Sequence, residues 1–452
     1  MNIELTKLLD SLSVALDYVE AEIVNIEPYH GKRVAYLTDR MAIAAGMDYE
    51  TRYALTQAAG FHDCALSEYM HDELGKKFNE QYMEAHCRVG EEKLAKLPFY
   101  RNVEKSVLYH HECADGTGAF RMTAENTPMT AQLIHLADNV DIKFPLYHYE
   151  SGMVEDIVEW VKSEEGKLFS SEAIDIFCKS ITDQVLQEIK GENAKTIFEG
   201  LIPDRTKEVS TEVFKDMASI FADITDYKSH FTWNHSQGIA EKAEAMGQFY
   251  GYDKETCDKL FVAGALHDVG KLLISNDILE KPGKLTSDEY KEIQNHALGT
   301  WDMLKGIRGI EDITRWAARH HEKLDGSGYP FGMTGEQLDS NDRLLACLDI
   351  YQALVEERPY KAGLSHEEAI GILRKMGNEG QLDNGVISDI DECFGVGIEA
   401  IEVTGRPAIE ITVEGEAWIC PVCGYVYEGE LPEDFICPRC EQPGTIFERV
   451  SN

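Results

Sequence analysis

The histidines and aspartates of this chain fall into two sets with nearly the same spacing. The first set is His30, His62, Asp63, His86, His110, His111 and Asp138. The second set is His235, His267, Asp268, His296, His320, His321 and Asp349. The first histidine precedes the His-Asp pair by 32 residues in both sets (30 to 62, 235 to 267). The single histidine that follows the His-Asp pair precedes the His-His pair by 24 residues in both sets (86 to 110, 296 to 320). This agreement predicts a duplicated domain and constrains the fold more than any other feature.

The sequences around the two His-His pairs also agree. One stretch reads His110-His-Glu-Cys-Ala-Asp-Gly-Thr-Gly118 and the other His320-His-Glu-Lys-Leu-Asp-Gly-Ser-Gly328. Neighbouring residues on a helix point ~100° apart, so an adjacent pair suits two adjacent metal ions better than one. The glycines let the chain turn sharply after the pair. A single stretch of this kind would also fit an ordinary helix end, but its repetition favours a site.

Each set offers five imidazoles and two carboxylates. Imidazole suits iron, manganese, nickel or zinc, and a carboxylate can bridge two ions. Seven donors divide naturally between two six-coordinate ions that share one aspartate. A water held between such ions loses a proton near neutral pH and becomes a nucleophile, and paired ions also stabilise phosphoryl transfer.

The rest of the pattern predicts a mostly helical fold. Capping boxes open helices at Thr286 and Ser365, and Asp253 caps the segment that leads to His267. Strand signals are sparse until the alternating stretch 408–413. We place an N-terminal helical domain at 1–205, a second at 206–405 and a small C-terminal β-ribbon metal module at 415–452.

The charge balance excludes several classes of protein. The chain has 81 acidic and 43 basic residues, for a net charge of -38. Nucleic-acid polymers and membrane surfaces attract basic proteins, so neither is an expected partner. No apolar run reaches the ~20 residues of a membrane span. The amphipathic N-terminus (Ile3, Leu5, Leu8, Leu9, Leu12) predicts a surface helix rather than a signal peptide, and we expect a cytoplasmic protein.

The second half resembles the HD-GYP family of metal-dependent phosphodiesterases, a branch of the HD superfamily. The resemblance covers about residues 226–395 and includes Asp226-Tyr-Lys-Ser-His-Phe-Thr-Trp-Asn-His235, His267-Asp-Val-Gly-Lys271, Ile278-Leu-Glu-Lys-Pro-Gly-Lys284, His320–Pro330 and Arg358-Pro-Tyr-Lys361. It implies a helical domain that hydrolyses cyclic di-GMP or a related cyclic dinucleotide. It assigns one metal to His235, His267, Asp268 and Asp349, with Asp268 bridging, and the other to His296, His320 and His321.

The same resemblance implies the substrate contacts. Lys271 would face the scissile phosphate and act in catalysis beside Asp268, while Arg358 and Lys361 would hold the dinucleotide phosphates. Tyr329 would shape the substrate loop. Some members bind a third metal through a glutamate four residues before the first histidine, but this chain has Phe231 there. We therefore expect two divalent ions, iron or manganese.

The first half departs from the family. It keeps all seven donors, but Leu66 stands where the second half has Lys271, and Gly118-Ala-Phe120 replaces Gly-Tyr-Pro. Tyr147 stands in the place of Arg358. We expect a second di-metal site here that has lost the phosphate contacts and is structural or regulatory. Because some HD-superfamily proteins activate oxygen at a mixed-valent di-iron pair, that chemistry stays an alternative.

Four of the eleven cysteines form two Cys-x-x-Cys knuckles. They are Cys420, Cys423, Cys437 and Cys440. Four clustered thiolates make a tetrahedral zinc or iron site. The sequence Cys423-Gly-Tyr-Val-Tyr427 and the short spacer resemble the rubredoxin-like module of rubrerythrins, which implies one redox-active iron, with structural zinc as the alternative.

The leading hypothesis is a cyclic di-GMP-type phosphodiesterase whose metals are kept reduced by the rubredoxin-like centre, which would exchange electrons with a redox partner protein. One alternative is a di-iron oxygenase with that centre as electron donor, and another is a non-catalytic dinucleotide or redox sensor. The residues leave open the dinucleotide, the extent of hydrolysis, the native metals and the oligomeric state.

Overall fold

The protein is mostly helical, as predicted. The computed structural model describes residues 2–24, 26–66, 80–97, 99–201, 206–228, 235–279, 281, 283–356, 363–395, 417–419, 426–428 and 448–450. Its helices are α1 Leu5–Val24, α2 His30–Ala44, α3 Tyr49–Gly60, α4 Glu80–Leu94, α5 Met129–Lys143, α6 Met153–Ser163, α7 Ser171–Ser180, α8 Asp183–Glu188, α9 Ile197–Leu201, α10 Thr211–Lys228, α11 His235–Phe249, α12 Lys254–Leu266, α13 Asn276–Leu279, α14 Ser287–Leu304, α15 Glu311–Ala318, α16 Ser340–Val355, α17 His366–Asn378 and α18 Asn384–Gly395. Short 3₁₀ turns lie at Tyr100–Asn102, Leu146–His148, Gly191–Thr196, Val269–Leu273 and Gly335–Gln337.

The strands are few and short. β1 Asn2–Glu4 pairs antiparallel with β2 Thr206–Glu208. β3 Ala417–Ile419 lies between β4 Val426–Glu428 and β5 Glu448–Val450 in an antiparallel sheet of order β4-β3-β5. This sheet confirms a small C-terminal β module, whereas the predicted strand at 408–413 lies outside the described residues.

The chain divides into two compact units, residues 1–348 and 349–452. Both His-Asp pairs and both His-His pairs belong to the first unit. In the second unit α17 and α18 pack together, and Arg374 pairs with Asp391 at 2.6 Å. The predicted boundaries at 205, 405 and 415 stay predictions.

The predicted helix starts are confirmed. The Thr286 side chain accepts from the Glu289 backbone and the Glu289 carboxylate accepts from the Thr286 backbone, which makes a capping box before α14. Ser365 and Glu368 make the same arrangement before α17. Asp253 caps α12 through the Thr256 amide. These caps fix where α12 and α14 begin, and so the register of His267 and His296.

The N-terminal helix is amphipathic, as its pattern predicted, but it also buries two acidic residues. Leu8, Leu9 and Leu12 are at most 2% exposed, whereas Tyr18 on the opposite side is 46% exposed. Asp17 and Glu20 are buried too, at 4% and 1%. The buried side packs against both halves of the first unit, including α2 and the turn Val269–Leu273. None of the described helices is long and apolar enough to cross a membrane.

The two halves of the first unit are also joined by specific contacts. Phe61, directly before His62, meets Phe221 of α10 edge to face with ring centroids 6.0 Å apart. Lys93 of α4 pairs with Asp223 of α10 at 3.0 Å. Glu4 accepts from Arg308 at 2.8 Å. The helix that precedes each first histidine thus contacts the opposite half.

Candidate metal centres

In the second half, donors that are far apart in sequence meet around Asp268. His267 Nε2 lies 3.1 Å from Asp268 Oδ2, and His296 Nε2 lies 3.3 Å from Asp268 Oδ1. His320 Nε2 is 3.9 Å from the same Oδ1 and 3.2 Å from His296 Nε2. The donor atoms form two groups, one of His235, His267 and Asp268 and the other of His296, His320 and His321. The carboxylate of Asp268 thus faces both groups.

Backbone carbonyls orient these imidazoles. His267 Nδ1 donates to Gly264 O at 2.7 Å and His320 Nδ1 to Ala317 O at 2.6 Å, each three residues earlier. His296 Nδ1 makes the same bond to Ile293 O. A proton held on Nδ1 leaves the Nε2 lone pair directed at the cluster, which is the arrangement that metal-binding histidines show.

Lys271 and Tyr329 lie at this cluster. The Lys271 ammonium donates to Asp268 Oδ2 from the turn that follows the His-Asp pair. The Tyr329 ring lies against His321 with centroids 4.6 Å apart. Burial alone would raise the pKa of Asp268, but its neighbours His267 and Lys271 hold it well below its ordinary value. The carboxylate therefore carries its charge and is ready to bind cations.

The glutamate after each His-His pair accepts hydrogen bonds from backbone amides of the following loop. This role was not predicted from the sequence. Glu322 accepts from the Phe331 amide at 2.7 Å and from the Met333 amide at 2.8 Å. Glu112 accepts from the Phe120 and Met122 amides in the same way. Gly328 must be glycine because a Cβ there would lie 2.6 Å from His321 O. The shared His-His-Glu pattern carried this signal.

The first half repeats the cluster with its own seven residues. His62 Nε2 lies 3.5 Å from Asp63 Oδ2, and His86 Nε2 lies 3.3 Å from Asp63 Oδ1. His30 Nε2 is 3.2 Å from Asp138 Oδ1. His62 Nδ1 donates to Ala59 O at 2.8 Å, so the orienting bond is repeated. The donor groups are His30, His62 and Asp63, and His86, Cys87, His110 and His111.

Two buried residues of the first centre were not predicted as part of it. Cys87 Sγ lies 3.7 Å from His110 Nδ1 and 3.9 Å from His86 Nε2, where the second half has Ala297. Glu20 of α1 is 1% exposed, and Asp63, His30, Asp17 and His62 are the charges that act on it most. The position of Cys87 directly after His86 was the available signal for it.

The protonation of the histidines differs between the centres. Burial lowers the pKa of His296 to about 3. In the first centre burial acts in the same direction, but Asp138 and Asp141 outweigh it and raise the pKa of His30 well above its ordinary value. His30 Nδ1 lies 2.7 Å from Asp141. The two shifts differ in sign because carboxylates lie directly against His30.

The described residues fit bound metal ions. Several buried atoms that face the clusters make no hydrogen bond in the described part of the chain: His30 Nε2, His62 Nε2, Asp63 Oδ1, Asp138 Oδ1, His267 Nε2 and Asp268 Oδ1. Buried polar atoms are rarely left in this state, and cations would satisfy them all. Asp349 lies on α16 and is 8% exposed. The predicted residues Arg358, Lys361, Cys420, Cys423, Cys437 and Cys440, like Phe231, lie outside the described residues.

Comparison with known proteins places this geometry in a family. The HD domain family matches residues 29–143 and again 219–386, and the rubrerythrin, rubredoxin-like domain matches 418–448. The 3'3'-cGAMP-specific phosphodiesterase 1 of Vibrio cholerae is 30% identical to this chain over 404 residues. The match covers 86% of this chain and 91% of the relative. The chain belongs to the HD-GYP phosphodiesterase family.

A further relative agrees with this assignment, and a solved structure shares the fold. A cyclic di-GMP phosphodiesterase of Pseudomonas aeruginosa is 30% identical over 224 residues, covering 48% of this chain and 53% of the relative. The crystal structure of a cyclic GMP-AMP specific phosphodiesterase of Vibrio cholerae superposes with a TM-score of 0.60 at 20% identity, over 88% of this chain and 98% of that one. The predicted pair of HD domains followed by a rubredoxin-like domain is confirmed.

Proposed function

We propose that this HD-GYP protein hydrolyses a phosphodiester bond of a cyclic dinucleotide, of the cyclic di-GMP or 3'3'-cGAMP type, at its second centre. The observation that carries the proposal is Lys271. Its ammonium lies on the Asp268 carboxylate, beside two groups of imidazoles. In a chain of charge -38 an anionic substrate needs such a local cluster of positive charge. The relatives from Vibrio cholerae and Pseudomonas aeruginosa are both named as phosphodiesterases of cyclic dinucleotides, which supports this substrate class.

The metal ligands of this centre are proposed to be His235, His267, Asp268, His296, His320, His321 and Asp349. Iron or manganese suits these nitrogen and oxygen donors. When bound, two such ions would lower the pKa of a water and offset charge on the phosphate. Hydrogen bonds from Nδ1 to backbone carbonyls already direct Nε2 of His267, His296 and His320 into the cluster.

The remaining chemistry falls to side chains of the chain. Lys271, three residues after Asp268, would donate hydrogen bonds to a phosphate oxygen as the charge on that oxygen grows. Tyr329 offers a ring face beside His321 on which a base can stack. Arg358 and Lys361 are proposed to hold the second phosphate, since each supplies a permanent positive charge.

The first centre is proposed to bind metals without hydrolysing the dinucleotide. Leu66, which is 4% exposed, stands where the second half has Lys271. No lysine or arginine is paired with Asp63 among the ion pairs of the described residues. A phosphate at this centre would have no donor of the Lys271 kind. A metal pair here would serve stability or regulation.

The four C-terminal cysteines are proposed to hold one iron, with zinc as the alternative. We further propose that this iron keeps the di-metal centre reduced. Oxidation of the iron-cysteine centre, followed by absorbance, should then lower the turnover of the dinucleotide. Unchanged turnover and unchanged di-metal oxidation state would reject the coupling and leave the hydrolase intact.

The test is an anaerobic hydrolysis assay on iron- or manganese-loaded protein, with cyclic di-GMP and 3'3'-cGAMP as substrates. Asp268→Ala should lower turnover by at least about 10³-fold, since paired metals contribute several kcal/mol at 1.36 kcal/mol per tenfold. Asp63→Ala is the matched control and should stay within a few-fold of the unaltered chain. Loss with Asp63→Ala alone would move the activity to the first half. Tight binding without product would make the protein a sensor, and oxygen uptake with an organic substrate would favour an oxygenase.

A further inference from the structure

The first centre contains a carboxylate that its seven predicted donors do not include. Glu20 lies on α1, is 1% exposed and makes no hydrogen bond through either oxygen among the described residues. Asp17, one turn earlier on the same helix, accepts from the Gly31 amide at 2.9 Å but leaves its Oδ2 without a partner. A buried carboxylate that makes no hydrogen bond is costly, and proteins keep one where a cation binds it.

The helix geometry directs Glu20 to the centre. Residues three apart share a helix face, so Glu20 follows Asp17 towards the start of α2, where Asp17 holds Gly31 next to His30. The charges that act most strongly on Glu20 after burial are those of Asp63, His30, Asp17 and His62. His30, His62 and Asp63 are the three members of one donor group. Glu20 is therefore near that group, on the buried side of α1.

The second half has no counterpart of Glu20. There Asp226 plays the part of Asp17, because it accepts from the Ser236 amide at 2.9 Å, next to His235. The residue three further on is Ser229, which has no carboxylate.

The charge around the first centre also calls for cations. Four buried carboxylates lie there: Asp17, Glu20, Asp63 and Asp138. The nearby basic side chains are engaged elsewhere, since Arg33 binds Asp141 at 2.6 Å and Lys32 binds Asp10 at 2.6 Å. Burial disfavours the ionised form of Asp17 and Glu20, and a divalent ion bound beside them would favour it. The second centre reaches its balance differently, because Lys271 already pairs with Asp268.

We propose that Glu20 is a further carboxylate ligand of the metal ion held by His30, His62 and Asp63. The first centre would then bind hard cations with a more oxygen-rich donor set than the second centre. Manganese(II) prefers such oxygen ligands and binds thiolates poorly, which makes it a probe that passes over the C-terminal cysteines. This assignment rests on the proposed metal site of the first half.

The experiment is an Mn²⁺ titration of the full chain, followed by electron paramagnetic resonance, in an Asp268→Ala background that weakens the second centre. Glu20→Gln keeps the shape and removes the charge, and should weaken Mn²⁺ binding at the first centre by at least about tenfold, as loss of metal-supporting groups does. Glu20→Asp keeps the charge and should recover part of the affinity. Ser13→Ala, a buried change on the same helix, is the matched control and should bind as the background does.

The outcomes separate this inference from the proposal on which it rests. If the background chain binds no Mn²⁺ at the first centre, the metal site itself is rejected and Glu20 has no ligand role. If the background binds Mn²⁺ and Glu20→Gln binds it equally well, the Glu20 assignment alone is overturned. Thermal unfolding of the metal-free chains checks folding, and Glu20→Gln should be at least as stable as its background, because it removes a buried charge.

Discussion

The two centres of this protein share their imidazoles but differ in how their charge is balanced. Around Asp268 a lysine of the same chain supplies positive charge. Around Asp63 that place is taken by Leu66, and two further buried carboxyl groups, Glu20 and Asp17, lie nearby instead. Metal binding and phosphate binding could therefore separate, because different side chains carry them. In the function proposed above, the first centre keeps metal binding, which the His-Asp spacing encodes.

The largest effect that tests this contrast is expected at Lys271. Lys271→Met should lower the turnover of the cyclic dinucleotide by about 10²–10³-fold, the usual effect of removing one donor to developing charge. Metal content, measured by mass spectrometry, should stay unchanged because Lys271 is not a ligand. The reciprocal Leu66→Lys should create no activity in an Asp268→Ala chain. Turnover within twofold of the unaltered protein would remove Lys271 from the mechanism.

A smaller effect is expected at Gly270, where the halves differ in backbone packing. A Cβ at Gly270 would overlap the His296 carbonyl and the Thr300 nitrogen of α14. The equivalent residue of the first half is Ala65, which is fully buried. Gly270→Ala should destabilise the chain by about 1–3 kcal/mol, as overpacking does, and displace His296. Ala65→Gly is the control and should cost about 1 kcal/mol or less. Thermal unfolding and metal content measure both, and equal effects would contradict the packing difference.

Substitutions of Tyr329, in the loop after the second His-His pair, test substrate binding. Tyr329→Ala should raise KM by about tenfold, because stacking on one base contributes roughly 1–3 kcal/mol. Tyr329→Phe keeps the ring against His321 and should leave KM nearly unchanged. Ala119→Tyr, at the matching position of the first half, should not alter hydrolysis. A fall in kcat at constant KM in Tyr329→Ala would instead place the residue in the chemical step.

The smallest effect is expected where the halves meet. Arg308 lowers the pKa of Glu4 from its ordinary 4.5 to about 2, chiefly through a side-chain hydrogen bond. Since the folded state holds the ionised form, the pair contributes stability above about pH 4.5, and the contribution is lost as the pH falls towards 2. Glu4→Gln should cost at most about 1 kcal/mol, because Arg308 is largely exposed. Unfolding midpoints at pH 7 and pH 3 should therefore differ less in Glu4→Gln than in the unaltered chain.

Much of the candidate site was predictable because its donors follow local rules. His267 and Asp268 are neighbours, and the orienting carbonyls of Gly264 and Ala317 lie one turn before their histidines. The capping boxes at Thr286 and Ser365 were equally local, and both are present. Glu322 was missed because its partners, the Phe331 and Met333 amides, are defined only when the loop closes.

By itself the sequence determined the duplication, the helical class, the donor sets and the loss of Lys271 from the first half, because all of these are written in residue identity and spacing. Only the tertiary structure decided that Asp17 and Glu20 of α1 are buried, and that the charges acting most on Glu20 belong to the first centre. The apolar pattern of α1 shows which side of the helix is buried, but not what covers that side. The covering elements include α2 and the turn Val269–Leu273, which lie far along the chain. Burial of a charge is a property of the assembled fold, and no spacing records it.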